Sequence, residues 1–215
     1  FGLGRAIRNE ISLIKCRCID IDEQTELFDI AMDLISTGDF YETAYRNGKR
    51  YVQKFDCLEI KDYPDKRVEI KSEGVYIITG GLGGIALAVA KSLALKNKVN
   101  IALISRSKLP EREKWDEILN DGTDEKLCKK IIAIKEIEDL GSKVTCFSAD
   151  VKDIDKVSLI VEKLRQEFGK INGIIHSAGI PGDNFVVQKE EKAFREVLSP
   201  KIHGTWILDK LTEKD

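Results

Sequence analysis

The sequence predicts an α/β protein whose larger part contains a parallel sheet. From residue 74 onward, short apolar runs alternate with segments of helical periodicity. Strands that are separated by helices form parallel sheets through right-handed crossovers. The first apolar run, Val75–Ile78, leads through a glycine-dense turn into a helical pattern that begins at Gly84. The residues before 60 follow a different order, and they predict a second, smaller unit.

Residues 1–60 form the smaller unit in this interpretation, and the charged segment 61–73, which contains Pro64, is predicted to be a linker. Within the unit, an alternating apolar stretch predicts a half-buried strand, and helical spacing of apolar residues predicts one helix. An Asn-Gly pair between two strand-like runs predicts a hairpin. These elements are expected at residues 11–20, 23–36 and 41–58, in that order.

Residues 74–215 form the larger unit, with four strands that alternate with four helices. A charged segment at 107–125, which contains Pro110 and an Asp-Gly pair, predicts an insertion on the surface. The strands are predicted at 75–78, 99–105, 143–148 and 171–175, and the helices at 84–96, 125–140, 154–168 and 190–211.

The composition is that of an ordinary globular protein: of 215 residues, 42% are hydrophobic and 33% charged, with a net charge of −2. No basic face follows from this balance, so we expect neither a nucleic-acid partner nor attraction to a membrane. The absence of a signal-peptide pattern predicts a cytoplasmic location. The five scattered cysteines and two histidines lack zinc-site spacing, which predicts reduced thiols and no metal.

The turn after the first strand has the strand–turn–helix layout that binds a dinucleotide pyrophosphate. Glycines let the backbone approach phosphates closely, and a helix N-terminus presents unpaired N–H groups and a partial positive charge to the anion. The predicted cofactor-binding residues of this turn are Thr79, Gly80, Gly81, Leu82, Gly83, Gly84 and Ile85.

The end of the second strand predicts which dinucleotide is bound. An NAD site usually has an acidic residue there, which holds the ribose 2′-OH. This chain has Ser105 and Arg106 instead, and a guanidinium can hold a 2′-phosphate through two hydrogen bonds. NADP(H) is therefore favoured over NAD(H). The alternative is that Arg106 is a solvated loop residue, as most arginines are.

Asp150 and Val151 follow the third strand, where a carboxylate can accept a hydrogen bond from the adenine amino group. The alternative is that Asp150 caps the next helix. Asp153 is the better candidate for that cap, so we favour a cofactor contact for Asp150.

Small residues after the fourth strand let the nicotinamide half of the cofactor pass close to the backbone. The predicted contacts are His176, Ser177, Ala178 and Gly179. For His176 a structural, hydrogen-bonded role is favoured over a catalytic one, and the same holds for His203.

Taken together, these motifs resemble, in order and spacing, those of a ketoreductase domain of a bacterial modular polyketide synthase, in the short-chain dehydrogenase/reductase superfamily. Ala86 replaces the usual last glycine of the turn. The resemblance implies a Rossmann-like parallel sheet with an incomplete C-terminal half. Segments 4–10 and 42–52 resemble the truncated, cofactor-free Rossmann-like structural subdomain that precedes it. The insertion with Trp115 is similar to that of ketoreductases whose acyltransferase is a separate protein.

The segment Ser199–Trp206 resembles the one that carries the family's catalytic lysine, here Lys201. In the family this cation lowers the pKa of a tyrosine phenol, which is otherwise about 10. The family's serine and tyrosine belong to a later strand, and no tyrosine of this chain follows the cofactor motifs. We therefore expect these 215 residues to be inactive alone. Three explanations stay open: the polypeptide is truncated, the other half of the domain lies on another chain, or these residues are only part of a longer protein.

The resemblance implies NADPH-dependent reduction of a β-ketoacyl thioester on an acyl carrier protein. The implied partners are that carrier protein, with its phosphopantetheine arm, and other synthase domains. Two alternatives stay open. One is a non-catalytic scaffold module of a synthase, and the other is a free-standing reductase of a small carbonyl compound, against which the first unit argues.

Asp183 is the remaining candidate, as a substrate-orienting residue. In the family, one stereochemical class has Leu-Asp-Asp here, whereas this chain has Pro181, Gly182 and Asp183. The aspartate is thought to bias the side from which the pantetheine arm enters, which implies a (3R)-hydroxyacyl product. The alternative is that Asp183 stabilises the Pro-Gly turn.

Overall fold

A computed structural model describes residues 1–38, 40–57, 68–182 and 184–215. The chain divides into two compact units, Phe1–Lys66 with Asp183–Glu190, and Arg67–Gly182 with Glu191–Asp215. Much of the predicted linker 61–73 lies outside the described residues, so the domain boundaries stay predictions. No described helix is both long enough and apolar enough to span a bilayer, and the described residues contain no cluster of side chains suited to a metal ion.

The first unit contains a three-stranded sheet and two helices. The Asn47-Gly48 hairpin is confirmed, because both residues have positive φ, 52° and 68°, as a tight two-residue turn requires. The elements are α1 (Gly2–Glu10), β1 (Cys18–Asp20), α2 (Leu27–Ile35), β2 (Glu42–Arg46) and β3 (Lys49–Val52). The sheet order is β1-β2-β3, with β1 parallel and β3 antiparallel to β2.

The first unit differs from the prediction in two places. The strand expected at 11–20 is limited to Cys18–Asp20, because only these residues pair with β2. Helix α1 was not predicted, since two glycines weaken its helical propensity. Contacts with Tyr41 stabilise it: the guanidinium groups of Arg5 and Arg8 each lie 5.6 Å from the centre of that ring.

A buried carboxylate ties α2 to the hairpin. Asp33 accepts hydrogen bonds from Nη2 and Nε of Arg50, at 2.7 and 3.1 Å, and from the Tyr45 hydroxyl at 3.3 Å. The Arg50 hydrogen bond lowers the pKa of the Asp33 carboxyl, against the opposing effect of burial. Arg17 then donates to the carbonyls of Ser36 and Gly38, which would otherwise lack partners at the end of α2.

The second unit contains a parallel sheet, as predicted, and this sheet lies between two helical layers. Its strands are β4 (Val75–Thr79), β5 (Asn100–Ser105), β6 (Lys143–Ser148) and β7 (Ile171–His176). Its helices are α3 (Gly84–Lys96), α4 (Trp115–Asp121), α5 (Glu125–Asp139), α6 (Ile154–Phe168) and α7 (Glu191–Thr212). The strand order is β6-β5-β4-β7.

Both faces of this sheet are buried. Ile78 belongs to a core that it shares with α3 and α5, and its neighbour Ile77 belongs to a second core shared with α6 and α7. Successive residues of a strand point to opposite faces, so a strand covered on both sides is apolar throughout. This explains why β4 is a continuous apolar run.

The predicted surface insertion is not confined to the surface. Trp115 is only 3% exposed and belongs to the core on the α3 side of the sheet. Arg112 stacks 4.7 Å from the centre of the Trp115 ring system and donates to the Val144 carbonyl of β6 at 2.7 Å. Because β6 is an edge strand, its free carbonyls need such donors, and the segment folds back on the sheet to supply one.

Candidate functional site

The four parallel strands end at one edge of the second unit, where a cavity of about 220 Å³ lies. From β4 the chain proceeds to β5 and β6 on one side and reaches β7 on the other. Such a reversal of strand order opens a crevice at the carboxyl ends of the strands, where ligands bind in α/β proteins. The lining residues come from the ends of all four strands, from α5 and from α7.

The turn between β4 and α3 is shaped by two glycines that pack against neighbouring strands. Gly80 has a φ of 65°, and a Cβ atom there would lie 2.8 Å from the Ser177 carbonyl oxygen. A Cβ atom at Gly81 would lie 2.6 Å from Cβ of Leu103. These contacts draw the turn close to β5 and to the segment after β7.

The start of α3, in contrast, is open. Gly83 lines the cavity and is the N-cap of α3, which no side chain caps. A Cβ atom at Gly84 would meet no atom within 4 Å. The first N–H groups of a helix lack partners within the helix and carry a partial positive charge. This end of the cavity therefore fits a phosphate.

Hydrogen bonds hold the loop after β5. The Ser105 hydroxyl donates to the Ser107 carbonyl at 2.7 Å, and the Ser148 hydroxyl donates to the Arg106 carbonyl at 3.2 Å. Ser105, Arg106 and Ser107 all line the cavity. The Arg106 guanidinium has no ion-pair partner within the described part of the chain, so its charge is available to an anion.

Asp150 lines the cavity beside Lys152. Its Oδ1 accepts from the Lys152 backbone N–H at 3.0 Å, and its Oδ2 lies 3.7 Å from Lys152 Nζ. Asp153, as predicted, caps α6 by accepting from the Lys156 N–H. The Lys156 side chain also lowers the pKa of Asp153. Asp150 is thus not needed as the cap.

The end of β7 is held to β4 by side-chain hydrogen bonds. His176 Nδ1 lies 2.6 Å from the Thr79 hydroxyl oxygen, and this oxygen accepts from the Ala178 N–H at 3.2 Å. His176 Nε2 has a partner in α7. Both ring nitrogens are therefore engaged within the protein, which supports the structural role expected for this histidine.

Lys201 lies on α7 beside the turn that follows β7. A Cβ atom at Gly179 would lie 3.4 Å from Cε and 3.7 Å from Nζ of Lys201. Gly204 allows α7 to pack closely against the segment after β6, because a Cβ atom at Gly204 would lie 2.8 Å from a methyl group of Val151. The Lys201 ammonium group thus lies next to a cavity-lining residue, although Lys201 itself does not line the cavity.

The cavity brings together ten of the residues predicted to bind the cofactor: Thr79, Gly80, Leu82, Gly83, Ser105, Arg106, Asp150, Val151, Ala178 and Gly179. Six other candidates do not line it: Gly81, Gly84, Ile85, His176, Ser177 and Lys201. Asp183 lies outside the described residues. The functional roles of all these residues stay predictions.

Sequence reasoning missed seven lining residues: Ile104, Ser107, Lys130, Ala149, Lys152, Ile180 and Pro200. Six of them adjoin predicted residues, and wider motif boundaries would have included them. Pro200, which precedes Lys201, reaches the cavity through the position of α7. Lys130 lies four residues before the buried Ile134 in α5, so the apolar period of that helix predicts partial burial for it but not that it lines the cavity.

Known proteins resemble the chain over both units. The family model described as KR domain matches residues 74–215. The chain is 37% identical over 166 residues to the polyketide synthase PksM of Bacillus subtilis (strain 168), an alignment that covers 77% of this chain and 3% of PksM. It is 35% identical over 217 residues to 6-methylsalicylic acid synthase of Penicillium patulum, covering 98% of this chain and 12% of that enzyme.

A solved ketoreductase domain from the bacillaene assembly line has the same fold. It superposes with a TM-score of 0.79 at 28% identity, covering 99% of this chain and 47% of that one. The chain therefore spans a small part of the curated synthases that it matches and about half of this solved structure.

Proposed function

The chain belongs to the KR (ketoreductase) domain family, and from that premise we propose that it binds NADPH for the reduction of a β-ketoacyl thioester to a β-hydroxyacyl thioester. The substrate in this proposal is held on the phosphopantetheine arm of an acyl carrier protein, within a polyketide synthase. The observation that carries the proposal is the cavity at the carboxyl ends of the strands, with Arg106 in its wall.

The residues of the cavity fit NADPH. The open N-terminus of α3 at Gly83 suits the pyrophosphate. Arg106 suits a 2′-phosphate, and Asp150 suits the adenine amino group. Ala178 and Gly179 leave room for the nicotinamide half. When bound, NADPH supplies the hydride.

Lys201 has the proton-handling role in this proposal. A phenol with its ordinary pKa of about 10 is a poor acid at neutral pH, and a neighbouring ammonium group makes it stronger. The tyrosines of the chain are Tyr41, Tyr45, Tyr51, Tyr63 and Tyr76, and the last of these lies in β4, where its hydroxyl accepts from the Lys71 N–H. We therefore assign the proton donor, and the serine that orients the carbonyl, to residues outside these 215.

Calorimetric titration with NADPH and NADH tests the cofactor. The purified protein should bind NADPH more tightly, and Arg106→Gln should weaken NADPH binding by about 1.5–3 kcal/mol, the scale of a charge-assisted hydrogen bond. Equal affinities for the two dinucleotides would refute the NADPH assignment.

A non-catalytic scaffold module of a synthase is the second candidate. NADPH consumption with a β-ketoacyl thioester separates the two. The 215-residue polypeptide should bind NADPH without turnover, whereas a longer polypeptide that includes the serine and tyrosine should consume it. Absence of turnover in that longer polypeptide would favour the scaffold, and turnover by the 215 residues alone would refute our account of the proton donor.

The stereochemical assignment of Asp183 also stays a proposal. We expect the intact enzyme to form the (3R)-hydroxyacyl product, which chiral chromatography can determine. A predominantly (3S) product would show that Asp183 does not specify the product when Pro181 and Gly182 precede it.

A further inference from the structure

A second cation, Lys130, lines the cavity from α5, on a different element from Arg106. The rotation of α5 is set by its buried residues Ile131, Ile134 and Ile137, which pack in the core with α3. Lys130 lies four residues before Ile134, on the same side of α5 as that stripe, and it lines the cavity. Burial of an unpaired charge is costly, so a lysine at a position that continues an apolar stripe is expected to bind an anion.

Lys130 differs from the other lysines of α5. Lys129 is exposed and pairs with Glu125 at 2.6 Å, and Lys135 pairs with Asp116 at 2.5 Å. Lys126 is exposed and does not line the cavity. Lys130 is half-buried and, like Arg106, has no ion-pair partner among residues 1–38, 40–57, 68–182 and 184–215.

The charges of the cavity wall indicate the ligand. Four of its lining residues carry charged side chains, namely Arg106, Lys130, Asp150 and Lys152. Asp150 and Lys152 lie within ion-pair distance of each other, so Arg106 and Lys130 account for an uncompensated charge of about +2. A phosphate monoester carries a charge of about −1.5 to −2 at pH 7. The positive charge of the cavity wall therefore matches a phosphate monoester better than it matches a neutral ribose hydroxyl.

We infer that Lys130 is a second binding residue for the 2′-phosphate of NADPH and acts together with Arg106. This inference rests on the proposed function, and it adds a specificity-determining residue from a helix that carries none of the sequence motifs. A guanidinium binds a phosphate through two directed hydrogen bonds, whereas an ammonium group acts as a point charge. Lys130 is therefore expected to contribute affinity for the phosphate, and Arg106 both affinity and orientation.

The test compares ligands that differ only in the 2′-phosphate: NADPH against NADH, and adenosine 2′,5′-bisphosphate against adenosine 5′-monophosphate. In the purified protein, Lys130→Gln should weaken the binding of the two ligands that carry a 2′-phosphate about tenfold. It should leave the other two within about twofold, because their binding does not involve the lost charge. Lys130→Arg keeps the charge and should restore the preference.

Lys126→Gln is the matched control. It removes the same charge one helical turn away, from an exposed position outside the cavity, and it should change all four affinities by less than about twofold because solvent and salt screen it. Equal weakening of NADH and NADPH by Lys130→Gln would indicate a general structural effect and overturn the inference.

The two proposals fail in different ways. If the wild-type protein binds NADPH and NADH with equal affinity, the proposed cofactor is wrong, and the inferred role of Lys130 is wrong as well. If the wild type prefers NADPH, and Arg106→Gln reduces that preference while Lys130→Gln leaves it unchanged, only the inference about Lys130 is overturned.

Discussion

The imidazole of His176, at the end of β7, lies with Nε2 2.9 Å from the carbonyl oxygen of Pro200 in α7. A carbonyl only accepts hydrogen bonds, so Nε2 donates to it. Nδ1 lies 2.6 Å from the Thr79 hydroxyl oxygen, which accepts from the Ala178 N–H. The imidazole thus links β4, the turn after β7 and the helix that carries Lys201.

Replacing His176 by Phe should destabilise the second unit. The ring volume is largely kept, but the Thr79 hydroxyl and the Pro200 carbonyl each lose a partner, at a cost of about 1–3 kcal/mol in the free energy of unfolding. Denaturant unfolding measures the loss. His203→Phe is the control, because His203 is exposed and, among the described residues, its side chain bonds to the Ser199 hydroxyl. Its effect should stay within about 0.5 kcal/mol, and equal losses in both variants would contradict the linking role.

The glycines of the turn after β4 should differ in their tolerance of alanine. At Gly81 a Cβ atom would lie 2.6 Å from Cβ and 2.8 Å from Cα of Leu103, so Gly81→Ala should reduce the free energy of unfolding by about 1–3 kcal/mol. Gly84→Ala meets no atom within 4 Å and should be neutral or stabilising, because alanine favours the helix. Thermal unfolding of the two variants compares them, and a Gly81→Ala protein as stable as the wild type would disprove the packing argument.

Trp115→Ala should be among the most damaging single changes in the second unit. The ring is 3% exposed, lies against Arg112 and donates from Nε1 to the Pro110 carbonyl at 3.0 Å. Loss of a buried aromatic side chain costs about 3–5 kcal/mol, which urea unfolding would detect. Lys114→Ala, at the preceding exposed position, should have little effect. A small effect of Trp115→Ala would show that the segment is an independent surface loop.

The first unit should lose stability in acid through Asp33. Its pKa lies below the ordinary value of 3.8, chiefly because Arg50 donates to it. A carboxyl group with a lowered pKa stabilises the folded state above the unfolded-state value, and this contribution is lost as the pH falls through the lowered folded-state value. Amide hydrogen exchange of α2 and β2, corrected for the intrinsic effect of pH, should therefore accelerate below about pH 4.

Asp33→Asn should remove most of this pH dependence. It should also destabilise the unit at neutral pH by about 3 kcal/mol, because Arg50 and Tyr45 lose a buried anionic partner. Glu23→Gln, at an exposed position, should leave both the stability and the pH profile unchanged. An unaltered acid response in Asp33→Asn would mean that another carboxyl group is responsible.

By itself, the sequence determined the alternation of strands and helices in the second unit, the hairpin at Asn47-Gly48 and the Asp153 cap. Each of these depends on local chemistry: the period of apolar residues, the positive φ of a tight turn, or a side chain that bonds three residues ahead. The cofactor motifs could also be found, because they occupy the turns that directly follow the strands.

Only the tertiary structure decided the features that depend on distant partners. Helix α1 forms against Tyr41, Trp115 is buried because Arg112 reaches the edge strand at Val144, and Lys130 reaches the cavity because α5 packs on α3. The apolar period of a segment predicts which of its side chains are buried, but not which other segment covers them. That choice depends on packing between residues far apart in the chain, and for this reason the second cation of the cavity became visible only in the folded protein.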